Sequence, residues 1–380
     1  MKTLPQARDW ATRLAFPLWS TTGFDAGLGL YHERLDLDRR PIAASPRRLM
    51  VQARQIATFA RATLAGWHRP GPEAEALDRA IRLYHGRDGA PGWIFSVSPT
   101  GAPDRDVRDL YTHAFILYAL AWHHRVTGDP ALIRLADETL AEMDAIFAAP
   151  HGGFSDAVPA ADAIRRQNPH MHLLEALLAL YEATGGERFM ARAEHLIALA
   201  TDRFIAADGG ALIEDFSLDW QPLAAPGGNR VEPGHLYEWA WLLGEYVRLG
   251  GTVEDGLRER LIQFATRTGV DPASGRIVDA VNDHGGIIAA STRSWPHAEG
   301  VKAFAAAAMR GSEGAEAWAD RLLACLMTTF APDRLAGGWI DRFDADGWPL
   351  VDHMPASTLY HIAGAIFEAE LAFGSNTSGD

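Results

Sequence analysis

The chain has 380 residues, 48% hydrophobic and 22% charged, and carries a formal net charge of -14 at pH 7. That acidic balance excludes a protein that grips nucleic acid or anionic lipid through a basic face, and no uninterrupted apolar stretch approaches the about 18 residues of a membrane span. The composition is that of a folded globular protein, and the single cysteine, Cys325, lies in the apolar run from Leu322 to Met327, where it reads as buried filler.

At the amino terminus, Met1 to Asp9 lacks the apolar core of a signal peptide, which points to the cytoplasm. From there on, Gly66, Gly128, Gly185, Gly250, Gly311 and Gly374 follow one another at roughly sixty residues, the mark of a sixfold repeat. Each stands after a mostly apolar helix, and an amphipathic one follows in each repeat. The first apolar helix contains Val51-Gln52-Ala53-Arg54-Gln55, and a guanidinium buried there needs either a structural glutamate or the oxygens of a ligand.

The second unit shows the plan most clearly. An apolar helix from His113 to Val126 meets the turn Thr127-Gly128-Asp129-Pro130 and then an amphipathic helix from Ala131 to Phe147. Gly128 suits a left-handed cap, Asp129 caps the next helix and Pro130 fits its first turn. That second helix has Leu132, Leu135, Leu140, Met143 and Phe147 on one side and Arg134, Asp137, Glu138 and Asp144 on the other, so one face meets water. In the third unit Asn168 precedes an apolar helix, His172 to Tyr181, and either caps it or presents its amide to a cavity. The fourth, His235 to Leu243, is apolar nearly all round, the fifth starts at Trp295 and carries Glu299, and the sixth holds His361.

A second set of glycines, Gly29, Gly92, Gly153, Gly210, Gly275 and Gly338, opens short alternating apolar and polar stretches, predicted as β-hairpins or extended loops. Short turns then lie on one face and long loops on the other, with the amino-terminal ends of the inner helices around the long-loop mouth. The expectation is a toroid of six inner and six outer helices forming one domain over residues 1–374, with residues 375–380 as a frayed tail.

Stepping back about twelve to sixteen residues from each glycine of the first set reaches Arg54, His113, His172, His235, Glu299 and His361, a polar group inside an apolar helix each time. Closed into a ring, these residues share a level and converge on one cavity. Histidine takes and gives protons near neutrality, and His172 and His235 each have a glutamate three residues on, Glu175 and Glu238, to orient the imidazole or hold a hydroxyl-rich ligand. The rival is a histidine–carboxylate metal site; no metalloprotease helix motif is present, so neither metal nor cofactor is expected. Trp295, Trp93 and Trp339 fall on the mouth side, where indole faces suit the C–H faces of sugar rings. His32, His68, His85, His123, His124, His284 and His353 read as solvated, and there is no Walker A loop, dinucleotide fingerprint or nucleophile elbow.

Four segments, Arg47 to Gln55, Asn168 to Ala176, Pro233 to Trp239 and Pro355 to His361, resemble the N-acylglucosamine 2-epimerase superfamily, which also includes mannose isomerases, sulfoquinovose isomerases and cellobiose 2-epimerases. The resemblance implies an all-α fold, the (α/α)6 barrel. It also implies His235 and His361 as the acid/base pair and a substrate pocket of Arg54, Asn168, His172, Glu175 and Glu238, to which the convergence argument adds His113, Trp295 and Glu299. The segment Trp295-Pro296-His297-Ala298-Glu299 departs from the family form, which has Gln and Thr at His297 and Ala298.

The expected activity is cofactor-independent isomerisation of an aldose and a ketose, of the mannose/fructose type, by proton transfer between histidines through a cis-enediol. The alternatives are a 2-epimerase of N-acylglucosamine or of a disaccharide such as cellobiose, an inverting glycoside hydrolase with two carboxylates about 6.5 to 9.5 Å apart, and a carbohydrate-binding toroid without turnover. The expected partner is a monosaccharide, with room for a homodimer.

Overall fold

Gly128 and Gly185 take left-handed backbone, φ 70° and 65°, and close the helices before them. Gly66, Gly250 and Gly311 are left-handed as well, whereas Gly374 is extended at φ -60°. Punctuated in this way, the computed structural model, which describes residues 1–206 and 210–374, is mostly helical. The tail expected at 375–380 lies outside the described residues.

Among the described residues, six inner helices alternate with six outer ones. The inner set is α2 (Leu49–Leu64), α4 (Leu110–Thr127), α6 (Gln167–Thr184), α8 (Pro233–Arg248), α10 (Ser294–Met309) and α12 (Leu359–Phe373). The outer set begins with α1 (Leu4–Trp10, continued by a π turn at Ala11–Ala15 and by Phe16–Ser20) and α3 (Ala76–Tyr84). It continues with α5 (Pro130–Ile146), α7 (Glu187–Leu199, extended by Ala200–Phe204), α9 (Leu257–Gly269) and α11 (Ala315–Cys325, extended by Leu326–Phe330).

Each inner helix packs on the next, α2 on α4, α4 on α6, α6 on α8, α8 on α10 and α10 on α12, and α12 packs back on α2. Each outer helix from α3 to α11 covers the inner helix before it, and α1 packs on α11 and α12. Burial follows the sequence pattern. In α6 nearly every residue from Gln167 to Leu180 is buried, whereas α9 buries only the face carrying Leu257, Leu261, Ile262, Phe264, Ala265 and Gly269.

The loops pair differently from the hairpins the sequence suggested. Local hairpins exist at Phe24–Asp25 with Leu30–Tyr31, Ser96–Val97 with Pro103–Arg105, and Ala280–Asn282 with Ile287–Ala289. The principal pairing, however, is between repeats. The strand before each inner helix lies antiparallel to one from the neighbouring unit: Arg47–Arg48 with Ser96–Val97, Arg108–Asp109 with Ala157–Val158, Arg165–Arg166 with Asp215–Phe216, Arg230–Val231 with Val281 and Asn282, and Thr292–Arg293 with Arg342–Phe343. The sixth ladder, His353–Pro355 with Arg34–Asp36, joins the last unit to the first. Pairing across such separations leaves no local signature in a sequence.

Buried arginines fasten these loops. Arg165 donates to the carbonyls of Pro150, Gly152, Phe154 and Leu218, while Arg108 reaches Pro91, Ala90 and Asp106 and forks onto Asp88. Mouth loops held at this many points are built to keep their positions.

Candidate active site

The strand ladders give each inner helix a starting point from which its side chains can be counted. From the last strand residue (Arg48, Asp109, Arg166, Arg293 and Pro355), the second residue is Met50, Tyr111, Asn168, Trp295 and Ser357, and the sixth is Arg54, Phe115, His172, Glu299 and His361. In the fourth unit Glu232 is an extra residue, and the sixth after it is Glu238. Positions four apart share a helix face, and from this face come Arg54, Tyr111, Phe115, His172, Glu238, Trp295, Glu299 and His361, joined by His235, the third residue after Glu232.

The fourth positions do something else. His113, His170 and His297 are fully buried, and their Nε2 atoms accept hydrogen bonds from the backbone N–H of Trp93, Phe154 and Ile277 in the loops, at 3.1, 2.9 and 3.1 Å. An amide can only donate, so the ring proton sits on Nδ1, which donates to the carbonyls of Asp109, Arg166 and Arg293. Burial holds these rings at about 4, 3 and 4. Gln52 makes the same clip in the first unit, accepting from Tyr31 N and donating to Tyr31 O.

His113 is therefore not a substrate ligand, contrary to the sequence expectation. Its place at the centre belongs to Phe115. Phe115 lies 13 residues before Gly128, as His172 does before Gly185, whereas His113 lies 15 before it, and an interval of twelve to sixteen residues admits both. Two residues are about 200° around a helix, enough to turn a side chain from one face to the other. The departure of His297 from the family form has the same explanation: it holds a loop. Trp93 and Trp339 are also core residues, the first donating to Thr139 and stacked on His85, the second stacked on Trp19 at 5.1 Å. His32, expected in solvent, is buried against Arg47 at 2.9 Å.

The remaining expected residues do come together. Trp295 is half-buried, and its indole has His235 on it at 4.8 Å and His361 at 5.8 Å between ring centroids. His235 Nδ1 is 2.9 and 3.0 Å from the two oxygens of Glu214, which also accepts from Gln167 Nε2 and from the backbone N–H of Glu232. Burial lowers the His235 pKa, but Glu214, then Glu232 and Glu238, outweigh it and raise the ring to about 9. His361 Nδ1 lies 2.7 Å from Glu299 Oε1. Burial, then the charges of Arg54 and Lys302, drives the His361 ring well below its ordinary value. At neutral pH one imidazole is thus charged and the other neutral.

Arg54 donates to the Tyr111 hydroxyl at 2.5 Å and to the Ser357 carbonyl at 3.3 Å, and its guanidinium stacks over Phe115 at 4.2 Å. Among the described residues no carboxylate pairs with it. His172 Nδ1 lies 3.1 Å from Glu175 and 3.8 Å from Glu238. Burial pushes Glu175 up, yet the hydrogen bond from His172 and the charge of Lys302 bring it down to about 2, and the Tyr360 hydroxyl donates to it as well. Both oxygens of Glu238 are buried without a partner. Burial and then the charge of Glu299 raise its pKa well above the ordinary range, so it is poised to exchange hydrogen bonds with a ligand hydroxyl.

Asn168 does not cap α6. Arg166 is the N-cap residue, and Asn168, with Oδ1 unpartnered, lines a mouth groove of about 390 Å³ with Tyr111, Met50 and Arg48. Two three-residue sets could each offer ligand atoms to a cation, His172 with Glu175 and Glu238, and Glu238 with Glu299 and His361. Lys302 Nζ, 2.7 Å from Glu299 Oε2, already supplies positive charge there.

Sequence reasoning missed Tyr111, Glu214, Lys302 and Tyr360. Tyr360 and Lys302 had a signal, the one beside His361 and the other three residues after Glu299 on an apolar helix. Glu214 comes from a loop, and nothing local linked it to His235.

Compared with known proteins, residues 29–365 match the family model described as N-acylglucosamine 2-epimerase (GlcNAc 2-epimerase). The chain is 34% identical over 376 residues to a mannose-6-phosphate isomerase of Rhizobium meliloti (strain 1021), covering 95% of each chain. It is 29% identical over 341 residues to a D-mannose isomerase of Pseudomonas cannabina pv. alisalensis, covering 82% and 80%. Its fold superposes on a cellobiose 2-epimerase from Bacillus thermoamylovorans B4167 with a TM-score of 0.84 at 20% identity, over 97% of this chain and 99% of that one.

Proposed function

Since this chain belongs to the N-acylglucosamine 2-epimerase family, we propose that its helical ring is an (α/α)6 barrel and its site that of a sugar isomerase interconverting an aldose of the mannose type with its ketose. The observation that carries the reading is the unequal pair on Trp295: His361 neutral and able to accept a proton, His235 charged and able to give one.

His361 removes the proton from C2 of the open-chain aldose, and its Nδ1–H stays oriented by Glu299. The electron pair left on C2 moves toward the C1 carbonyl and generates an enediolate. Arg54, which has no carboxylate of its own, stabilises the negative oxygen, while His172 and Glu238 hold sugar hydroxyls. A proton is then returned, with His235 as the acid. Delivery to C1, with the O2 proton passing to O1 so that C2 becomes the carbonyl, gives the ketose, and delivery to C2 from the other face restores the C1 carbonyl and gives the 2-epimer. The mannose and mannose-6-phosphate isomerases among the relatives support the first outcome. The second reading, a 2-epimerase, is favoured by the acid being a residue separate from the base.

The glycoside hydrolase alternative is weaker, because Glu175 and Glu299 are each committed to a histidine. On this reading residues 1–374 form one catalytic domain that works on a monosaccharide in the cytoplasm without metal or cofactor, with a homodimer left open. No described helix is long and apolar enough to cross a membrane.

Incubation with mannose in heavy water tests the proposal. Fructose carrying deuterium at C1 is the expected product, and glucose deuterated at C2 selects the epimerase. His235→Ala and His361→Ala should each abolish turnover while the circular dichroism spectrum is retained. Near-normal activity in either variant refutes the assignment.

A further inference from the structure

Lys302 is a buried cation that the reaction as derived above does not use. It stands on α10 one turn beyond Glu299 and is 2% exposed. Its ammonium lies 2.7 Å from Glu299 Oε2 and 3.6 Å from the centroid of the Trp241 ring. The other oxygen of the same carboxylate is 2.7 Å from His361 Nδ1. Lysine, carboxylate and imidazole thus form one continuous line inside the ring, with no exposed group in it.

Burying a lysine is costly unless its charge is answered. Here Glu299 and then Glu175 answer it, with the Glu238 carboxyl also close by, and they raise its pKa against the effect of burial, so the lysine stays charged. In return, Lys302 favours the ionised form of Glu299, whose carboxyl burial still holds above its ordinary value. Burial pushes that carboxyl upward, and Lys302 is the largest opposing influence. The groups facing His361 are Arg54 from α2, His172 and Glu175 from α6, Glu238 from α8, and Glu299 and Lys302 from α10. Those facing Lys302, besides the three carboxylates, are Tyr118 from α4 and Tyr360 from α12.

We propose that Lys302 is a positioning residue for the proton transfer: through Glu299 it fixes the Nδ1–H tautomer of His361 and keeps Nε2 of that ring free of a proton, ready to accept one from the sugar. This inference rests on His361 being the base. Without the ammonium, either His361 gains a proton more easily or Glu299 does and ceases to orient the ring. Both changes disable the base at low pH and leave it intact at high pH, so both move the acidic limb of the rate profile in the same direction.

The measurement is kcat/KM against pH with mannose as substrate. In Lys302→Met the acidic limb should rise by about one pH unit, a tenfold loss at pH values below the limb, with recovery above it. Lys302→Arg, which restores a cation, should return the limb toward its original position. In a Glu299→Gln background, adding Lys302→Met should produce a smaller shift, because only the direct effect of the ammonium on His361 remains. That double variant leaves neither member of the buried pair alone and so avoids an uncompensated charge should the single variant fail to fold. A limb unmoved in Lys302→Met, or an undiminished shift from it in the Glu299→Gln background, overturns the role of Lys302. Turnover surviving in His361→Gln instead overturns the assignment of the base, so the two failures are distinguishable.

Discussion

Gln52, His113, His170 and His297 occupy equivalent places and each clips a loop to an inner helix, yet only the histidines can take a proton. A protonated ring has no lone pair for the loop amide. The rings are held at about 4, 3 and 4, below the about 6.5 of an unfolded histidine. Between these values the unfolded chain binds the additional protons, so stability falls as pH drops from about 6.5 toward 4. His170→Gln copies the arrangement of the first unit and should flatten this fall, by on the order of 1 to 3 kcal/mol at pH 4. Melting temperature against pH for the two proteins checks it; parallel curves would show that the ring does not titrate on unfolding. Gly153 belongs to the same device: at φ 63° it is left-handed, and a Cβ there would stand 2.9 Å from His170 Nε2.

At the scale of elements, the site depends on how closely α8 and α10 approach. A Cβ on Gly234 would lie 2.5 Å from the Trp295 ring and 3.0 Å from Pro296, so the indole stands where it does because position 234 has no side chain. Gly234→Ala should push Trp295 aside and with it the wall shared by His235 and His361. The expected loss is about tenfold in kcat/KM, with a stability cost of about 1 to 3 kcal/mol for the overpacking. Steady-state kinetics alongside thermal melts decide the point, and unchanged kinetics would mean that the indole does not organise the pair. Pro233 suits the first turn of α8, whereas Gly234 lowers helix propensity there, and the closeness to Trp295 accounts for it.

For the whole molecule, the important event is closure. The ladder from His353–Pro355 to Arg34–Asp36, the packing of α12 on α2, and the seat of α1 against α11 and α12 make first and last units neighbours. Met1 and Phe373 line one crevice, and the amino-terminal ammonium is 2.7 Å from Glu316. In a closed ring the position of the chain ends is of little consequence to the core. A circular permutant joining residue 374 to residue 1 by a short flexible linker and opening at the exposed turn Gly250-Gly251 should fold, melt cooperatively within a few degrees of the parent, and keep its activity. An insoluble or non-cooperative permutant would show that the seam between α1 and α12 is not equivalent to the other five.

The sequence alone determined the sixfold repeat, the alternation of all-round apolar with one-sided helices and the direction of the inner set, and its repeat and motifs together singled out Arg54, His172, Glu175, His235, Glu238, Trp295, Glu299 and His361, which the fold brings near one another. All of these are written in local periodicity and in glycines at helix ends, or in motifs that keep their spacing. Only the tertiary structure decided that Phe115 and not His113 faces inward, that Trp93 and Trp339 are core, that strands pair between units, and that Glu214 and Lys302 set the two imidazoles apart. An interval of twelve to sixteen residues covers more than one helical turn and so more than one face, and a proton affinity depends on charges brought in from distant loops and turns; neither is settled by neighbours along the chain.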